Sequence, residues 1–393
     1  MRIGLIGIGQ AGGKIVDKFL EYDFNNNTNF VRDCLAVNTA HQDLSGLTNV
    51  PEEKRLLIGE SDVKGNGVGA NNKKGRDIMR KEVNEVIHLI NDMPTHQLDA
   101  FVIVASLGGG TGSGGMPVLA KELKERYSEP VYGIGILPAK KEGQIYTVNA
   151  ARSLQPCVEQ LDNLMIFDND SWSRGKGSLE TWYNDLNNKI ADRFGTIFSS
   201  GEIKEDEDVA ESVIDASEVI NTLDCGGISS IGYASDELDD AIVNPGILTR
   251  LKGGVEINES ESTMRLNSLV EKSITGNLTI PANIDSTERA LVILSGPKEF
   301  MTRKGMEEGR RLVEEKTNCM EVRGGDYPKK DSNEMVVTVL LSGLHDLPRV
   351  RELQRIAVEA DGQIKQIREE RGDKLDKLLN EENAEELDNL LDI

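Results

Sequence analysis

Eight residues, Gly108-Gly109-Gly110-Thr111-Gly112-Ser113-Gly114-Gly115, leave this chain few folds to adopt. They follow Asp99–Ser106 (DAFVIVAS), an almost unbroken apolar run of the kind found in parallel strands buried on both faces. So many glycines cost more chain entropy than a merely structural turn warrants. A backbone that must come close to a phosphate needs that lack of side chains. Where such a loop opens a helix, its N–H groups and the helix dipole together bind anionic oxygens. Thr111 and Ser113 can add hydroxyl donors. Gly115 stands where a Walker A motif would carry lysine, which excludes a P-loop NTPase.

Two more glycine loops follow the same logic. Gly7-Ile8-Gly9-Gln10-Ala11-Gly12-Gly13 lies between a strand over Arg2–Gly7 and a helix over Gln10–Tyr22. It matches GxGxxG, a weak pattern by itself. A dinucleotide-dependent oxidoreductase of Rossmann type would want Asp or Glu at the end of the second strand, Phe30–Asn38, to hold a ribose. Asn38-Thr39-Ala40 stand there instead. The third loop, Gly65-Asn66-Gly67-Val68-Gly69-Ala70-Asn71-Asn72, precedes a helix over Lys74–Ile90. Three such loops suit a triphosphate with Mg²⁺ better than NAD. A helix over Pro117–Tyr127, with proline just inside its start, and strands over Pro130–Leu137 and Leu164–Phe167 complete a strand–helix alternation. That alternation predicts an α/β fold with a doubly wound parallel sheet.

A long helix is expected over Ser178–Phe198, then an acidic break at Gly201–Asp208. A smaller α+β second domain follows, with strands over Arg289–Ser295 and Glu334–Gly343 and helices over Lys304–Lys316 and Leu347–Ile367. Ser235–Asn258 reads as a mobile loop. The acidic tail from Gly372, with leucines at helical spacing, reads as a frayed or disordered end rather than a packed partner helix. The expected division is 1–177 for nucleotide binding, 178–200 for the central helix, 201–361 for a loop and C-terminal domain, and 362–393 for a last helix and tail. A chain of 393 residues has room for this. A net charge of −22 with no local basic stripe argues against nucleic acid as a partner. Cys34, Cys157, Cys225 and Cys319 form no CxxC pair and read as reduced thiols of a cytoplasmic protein. The four histidines lack metal-ligand spacing. No signal peptide or long apolar span is evident, and direct membrane binding is not expected.

The three loops together resemble those of the tubulin/FtsZ superfamily. GGGTGSG is similar to its phosphate loop, Gly9-Gln10-Ala11-Gly12 to the tubulin form of the first loop, Asn38-Thr39 to the second, and Ala70-Asn71-Asn72 to the tubulin form of the third. The resemblance implies a GTP/GDP site with Mg²⁺ held through the phosphates. Its members would be Gly9, Gln10, Ala11, Gly12, Gly13, Lys14, Asn38, Ala70, Asn71, Gly108, Gly109, Gly110, Thr111, Gly112 and Ser113. Pro138 with Glu142-Gly143 resembles the ribose loop and implies a ribose contact for Glu142. Asp168-Asn169-Asp170 resembles the segment carrying the guanine-reading Asn169. Tyr183 and Asn187 resemble an aromatic–Asn pair on the central helix. Four residues apart, they share a helical face. A tyrosine ring can stack on a purine, and an asparagine amide can pair with guanine but meets the opposite donor pattern in adenine.

Val213-Ile214-Asp215-Ala216-Ser217-Glu218-Val219 resembles the superfamily's synergy loop, which implies catalysis by Asp215 and Glu218 on the nucleotide of the next subunit. By themselves, two acids early in a helix are more often capping groups. Identical subunits joined head to tail make an open filament, so the expected partner is a second copy of the chain. Several positions depart from bacterial FtsZ. Val213 stands for Asn, Glu218 for Asp, Ala40 for the Asp after Asn-Thr, and Tyr146 for Arg, and the chain has no long linker with a membrane-adaptor peptide. That mix resembles the archaeal CetZ group, linked to cell shape rather than to the FtsZ division ring, and bears more on hydrolysis rate than on binding.

Overall fold

The computed structural model describes residues 1–172, 178–201, 214–238, 259–329, 332–360 and 362. Val213, nearly all of the acidic break, most of Ser235–Asn258 and the tail lie outside them.

Six strands, β1 (Ile3–Ile8), β2 (Val31–Asn38), β3 (Arg55–Leu57), β4 (Ala100–Ser106), β5 (Val131–Leu137) and β6 (Asn163–Asp168), run parallel in the order β3-β2-β1-β4-β5-β6. β1, β5 and β6 are buried along their whole length, β1 and β5 as apolar runs and β6 with Asn163 and Asp168 buried at its two ends. Helices cover both faces. α1 (Gly9–Asn26), α2 (His41–Ser45) and the central helix α7 (Leu179–Ser199) share one core. α4 (Asn72–Asn91), α5 (Thr111–Arg126) and α6 (Gln144–Gln160) share the other. A short α3 (Glu60–Val63) lies in the loop before α4. This is the expected doubly wound sheet.

The smaller second domain is not a separate sheet. β7 (Ile228–Glu237) adds parallel to β6 through Leu164–Ile228 and Met165–Ser229. Beyond it β10 (Glu334–Leu344) and β8 (Arg289–Gly296) pair antiparallel, and β9 (Glu321–Pro328) closes the edge parallel to β8. One ten-stranded sheet thus runs through both halves. α8 (Ala216–Leu223) joins the α7 side, and α9 (Glu259–Gly276) and α10 (Arg303–Thr317) pack on the opposite face. A last helix begins at residue 348. No described helix is long and apolar enough to cross a membrane.

Several elements escape the periodicity. β7 carries the sequence ISSIGYASDE. Ser229 and Ser230 are buried because their hydroxyls are paired, Ser229 donating to Asn163 Oδ1 at 2.7 Å and Ser230 to the Ile280 carbonyl at 2.9 Å. Ser235 to Glu237, expected in a loop, end that strand. α6 contains Pro156, and α9 is serine- and glutamate-rich, so neither reads as an apolar stripe. The helix expected at Pro117 starts six residues earlier, at Thr111, inside the glycine run. The central helix begins one residue later than expected, because Ser178 caps it by accepting from the Thr181 N–H at 3.2 Å.

α7 is tied to α1 and β2 by three fully buried rings. The Phe19–Phe30, Phe19–Phe198 and Phe30–Phe198 centroids lie 6.3, 6.2 and 6.1 Å apart. Truncating Phe198→Ala leaves a cavity where three elements meet. It should cost about 3–5 kcal/mol, measured as a lowered urea midpoint with an unchanged slope.

Candidate functional site

All the glycine loops fall at the C-terminal ends of parallel strands and converge there. Gly9 has a left-handed φ of 76°, and a Cβ on it would lie 3.1 Å from the Gly112 N–H nitrogen. Thr39 and Thr111 share a buried hydrogen bond of 2.7 Å between their hydroxyls. The loop before α4 alternates in hand, with left-handed φ at Lys64, Gly65, Gly67, Gly69 and Ala70. Such alternation curls the backbone tightly, with the Asn66, Gly67 and Asn71 N–H groups donating to the Val63, Thr39 and Val68 carbonyls. Ala70 holds its left-handed conformation despite its Cβ, a local strain of the sort concentrated at binding sites. Neither α1 nor α5 has a side-chain cap or an acid in its first turn, so their terminal N–H groups remain for a ligand.

The glycine run is also required by packing. Added Cβ atoms on Gly110 and Gly114 would lie 2.8 Å from the Asn71 nitrogen and 2.2 Å from the Asn72 carbonyl oxygen, and one on Gly75 would lie 2.2 Å from the Gly110 carbonyl oxygen. These glycines let α4 cross α5 backbone to backbone. Gly109 differs, since its nearest neighbour beyond the adjoining residues is 3.9 Å away, and Gly69 has none within 4 Å. Those two face open space, where a ligand would sit.

A second cluster forms beside β5 and β6. Glu142 Oε1 accepts from the Ala139 N–H at 2.7 Å and from Asn169 Nδ2 at 3.2 Å. The other amide atom of Asn169, Oδ1, is buried with no hydrogen-bond partner. An orphaned acceptor of this kind fits a ligand N–H. Tyr183 is half-exposed, and burial pushes its hydroxyl up to about 12, with the neighbouring Glu142 carboxylate adding to the rise. Asn187, one turn further along α7, is buried. Glu142 therefore stands between Asn169 and Tyr183. Gln10 and Lys14 are exposed on α1.

Two residues of the site had no signal in the sequence. Asn149, on α6, donates from Nδ2 to the Ala70 carbonyl at 2.7 Å and the Gly108 carbonyl at 3.0 Å, holding two glycine loops together. An asparagine inside a helix carries no local pattern that says so. Asp43 brings a carboxylate near the end of β2, where none was expected. Gln10 Nε2 at 3.0 Å and Asn38 Nδ2 at 3.1 Å occupy its oxygens.

The acidic pair is elsewhere. Asp215 is not on a helical face. It is the N-cap of α8, its Oδ1 accepting from the Glu218 N–H at 3.1 Å and from the Ser217 hydroxyl at 2.5 Å. Those bonds hold its carboxyl below the usual range, whereas burial pushes Glu218 up despite Arg323 nearby. The start of α8 lies against Gly201 and Met1, for a Cβ on Gly201 would be 2.9 Å from the Ala216 nitrogen and 3.1 Å from the Met1 nitrogen. Met1 precedes β1 and Gly9 follows it. At about 3.3 Å per residue, that strand sets the acids on the order of 25 Å from the glycine loops.

This sheet, with its glycine loops at one end and its capped acidic turn at the other, defines the tubulin/FtsZ class. Residues 2–175 match the model of the tubulin/FtsZ family GTPase domain, and residues 176–359 that of the tubulin-like CetZ C-terminal domain. The chain belongs to the tubulin-like CetZ family. It is 50% identical over 374 residues to tubulin-like protein CetZ1 of Haloferax volcanii, covering 94% of this chain and 95% of that one. A GDP-bound monomer of CetZ1 from that organism superposes with a TM-score of 0.82 at 48% identity, over 92% of this chain and all of the other. A GTPγS-bound protofilament of CetZ2 from Haloferax volcanii also gives 0.82, at 36% identity, over 93% of this chain and all of the other.

The two kinds of glycine separate by experiment. Gly75→Ala should destabilise the fold by about 1–3 kcal/mol, seen as a lowered melting temperature with or without ligand. Gly109→Ala should leave the ligand-free melting temperature unchanged and lower only its rise on adding guanosine diphosphate.

Proposed function

We propose that the chain binds GTP and GDP at the convergent loops and hydrolyses GTP on head-to-tail assembly in the cytoplasm, acting as a shape-determining cytoskeletal element. The observation that carries this is the separation of Asp215 and Glu218 from the glycine loops of their own subunit. A carboxylate about 25 Å away cannot orient a water on that nucleotide. In a head-to-tail stack, the end of one subunit that bears the acids meets the end of the next that bears the loops. The nucleotide states named for the Haloferax relatives support the same ligand here.

The N–H groups of the α1 and α5 starts, Gly109 and the Thr111 and Ser113 hydroxyls would hold the phosphates. Asn169, with its free acceptor, would take a guanine N–H, Tyr183 would stack on the base, and Glu142 would meet the ribose. The proposed division of labour places 1–177 at the nucleotide, α7 as the strut, and 201–361 as the domain that brings the acids to a neighbour. The described residues hold no cluster of three metal-ligating side chains. Mg²⁺ would be held through the phosphates and would offset their charge. Positioning and charge account for most of phosphoryl-transfer catalysis. Both would act as carboxylates: the bonds that hold Asp215 low keep it ionised, and burial makes Glu218 the first of the two to take up a proton as pH falls.

Glu218→Ala should slow steady-state GTP turnover by about a hundredfold or more and leave GTP affinity intact; equal turnover would remove the catalytic assignment. Turnover per subunit should also fall on dilution, and a rate strictly proportional to protein would mean each subunit carries a complete site. Because the active form of Glu218 is the carboxylate and burial raises its pKa, activity should be lost as pH falls, with a midpoint above the ordinary glutamate value of 4.5.

A further inference from the structure

The C-terminal domain reaches the sugar and base end of the site through one buried side chain. Arg349 stands near the start of the last helix, beginning at residue 348, and its side chain is 5% exposed. Its Nη2 donates to the Pro138 carbonyl at 2.9 Å, and its Nε lies 3.6 Å from Asp168 Oδ1. Pro138 begins the loop that carries Glu142, and Asp168 is the residue before Asn169. The same guanidinium donates from Nη1 to Glu352 at 2.9 Å, and the other Glu352 oxygen pairs with Lys140 at 2.8 Å. Burial works against Glu352, yet its bonds to Lys140 and Arg349 hold it below the usual carboxylate range. Within the loops, Lys140 N–H donates to Asp170 at 2.9 Å, and Asn169 donates to Glu142. One arginine from the other half is therefore hydrogen-bonded at the root of one loop of the nucleotide-binding half and ion-paired at the root of the other.

We propose that Arg349 is a positioning residue for nucleotide recognition: it sets where Glu142 and Asn169 stand, and so ties discrimination of the base and sugar to the placement of the C-terminal domain. A guanidinium suits this because its planar fork can hold a carbonyl and a carboxylate at once, whereas an ammonium is a single point charge. Among the described residues no hydrogen bond or ion pair joins it to the glycine loops, so their share of binding should be unaffected. The inference rests on the guanine-nucleotide reading above and deepens it.

The test compares full-length wild type with Arg349→Met, Arg349→Lys and Glu352→Gln, using titration calorimetry with guanosine, inosine and 2′-deoxyguanosine diphosphates. It adds amide exchange over residues 138–143 without nucleotide. Arg349→Met should bind guanosine diphosphate about tenfold more weakly, the worth of one displaced polar contact. Its preference over the inosine and deoxy forms should shrink, and protection of 138–143 should drop. Arg349→Lys, which keeps the charge without the fork, and Glu352→Gln should fall between. If Arg349→Met does not fold, those two variants carry the test. Unchanged preference ratios and unchanged protection of 138–143 would overturn the role of Arg349. Failure of the wild type to bind any guanosine diphosphate would sink the nucleotide reading instead, and the exchange measurement would still decide whether Arg349 holds the loop.

Discussion

Six parallel strands send every β–α loop to one end of their sheet and every helix return to the other. That polarity organises the rest of the molecule. The glycine loops have to sit together at the C-terminal ends, since only there do strands hand over to helix N-termini whose N–H groups lack partners. The turn that Asp215 caps follows α7, which runs the length of the sheet and ends where β1 begins, its Phe198 carbonyl accepting from the Met1 ammonium at 2.7 Å. A chain folded in this order holds the glycine loops and the turn capped by Asp215 at opposite ends of one sheet, and no side-chain rotation brings them together.

The loops were legible in the sequence because their chemistry is local. Six glycines within Gly108–Gly115, or an Asn-Thr pair at a strand end, are visible without knowing what they touch. What they do was only half legible. Gly110 and Gly114 read as phosphate glycines, and each also has to be glycine for packing, a need set by the Asn71–Asn72 backbone about forty residues away in sequence. Asn149, Asp43 and Arg349 were invisible for the same reason, since each acts through partners brought by the fold. β7 escaped because its burial is secured by hydroxyl pairs, with Ser229, Asn163 and Ser342 bonded to one another, and a serine-rich strand has no apolar alternation to read.

The sheet also explains why the halves cannot be treated as independent. β6 and β7 share only two paired residues, a short seam for two large units. The core on the α7 side runs across it, from Phe19 and Phe198 to Ile231, Leu291 and Leu340. Apolar packing of that kind resists separation but not small rotations, because dispersion contacts have no preferred direction. A seam that must transmit position needs directional bonds as well.

Two buried guanidiniums sit on that seam, and they differ in kind. Arg193 of α7 lies between the Trp172 ring, 4.4 Å from its centroid, and the Tyr233 ring of β7 at 4.8 Å. Burial lowers its pKa, ring faces on both sides stabilise the cation, and its Nη1 donates to the Lys189 carbonyl of its own helix at 3.1 Å. Arg349 instead donates to the Pro138 carbonyl and to Glu352, bonds that weaken steeply with angle, and stands 3.6 Å from Asp168 as an ion pair. A ring face tolerates rotation that a hydrogen-bonded fork does not. Arg193 meets β7 through a ring, and Arg349 joins the last helix by hydrogen bond and ion pair to the loops that carry Glu142 and Asn169. The second is therefore the directional contact between the halves.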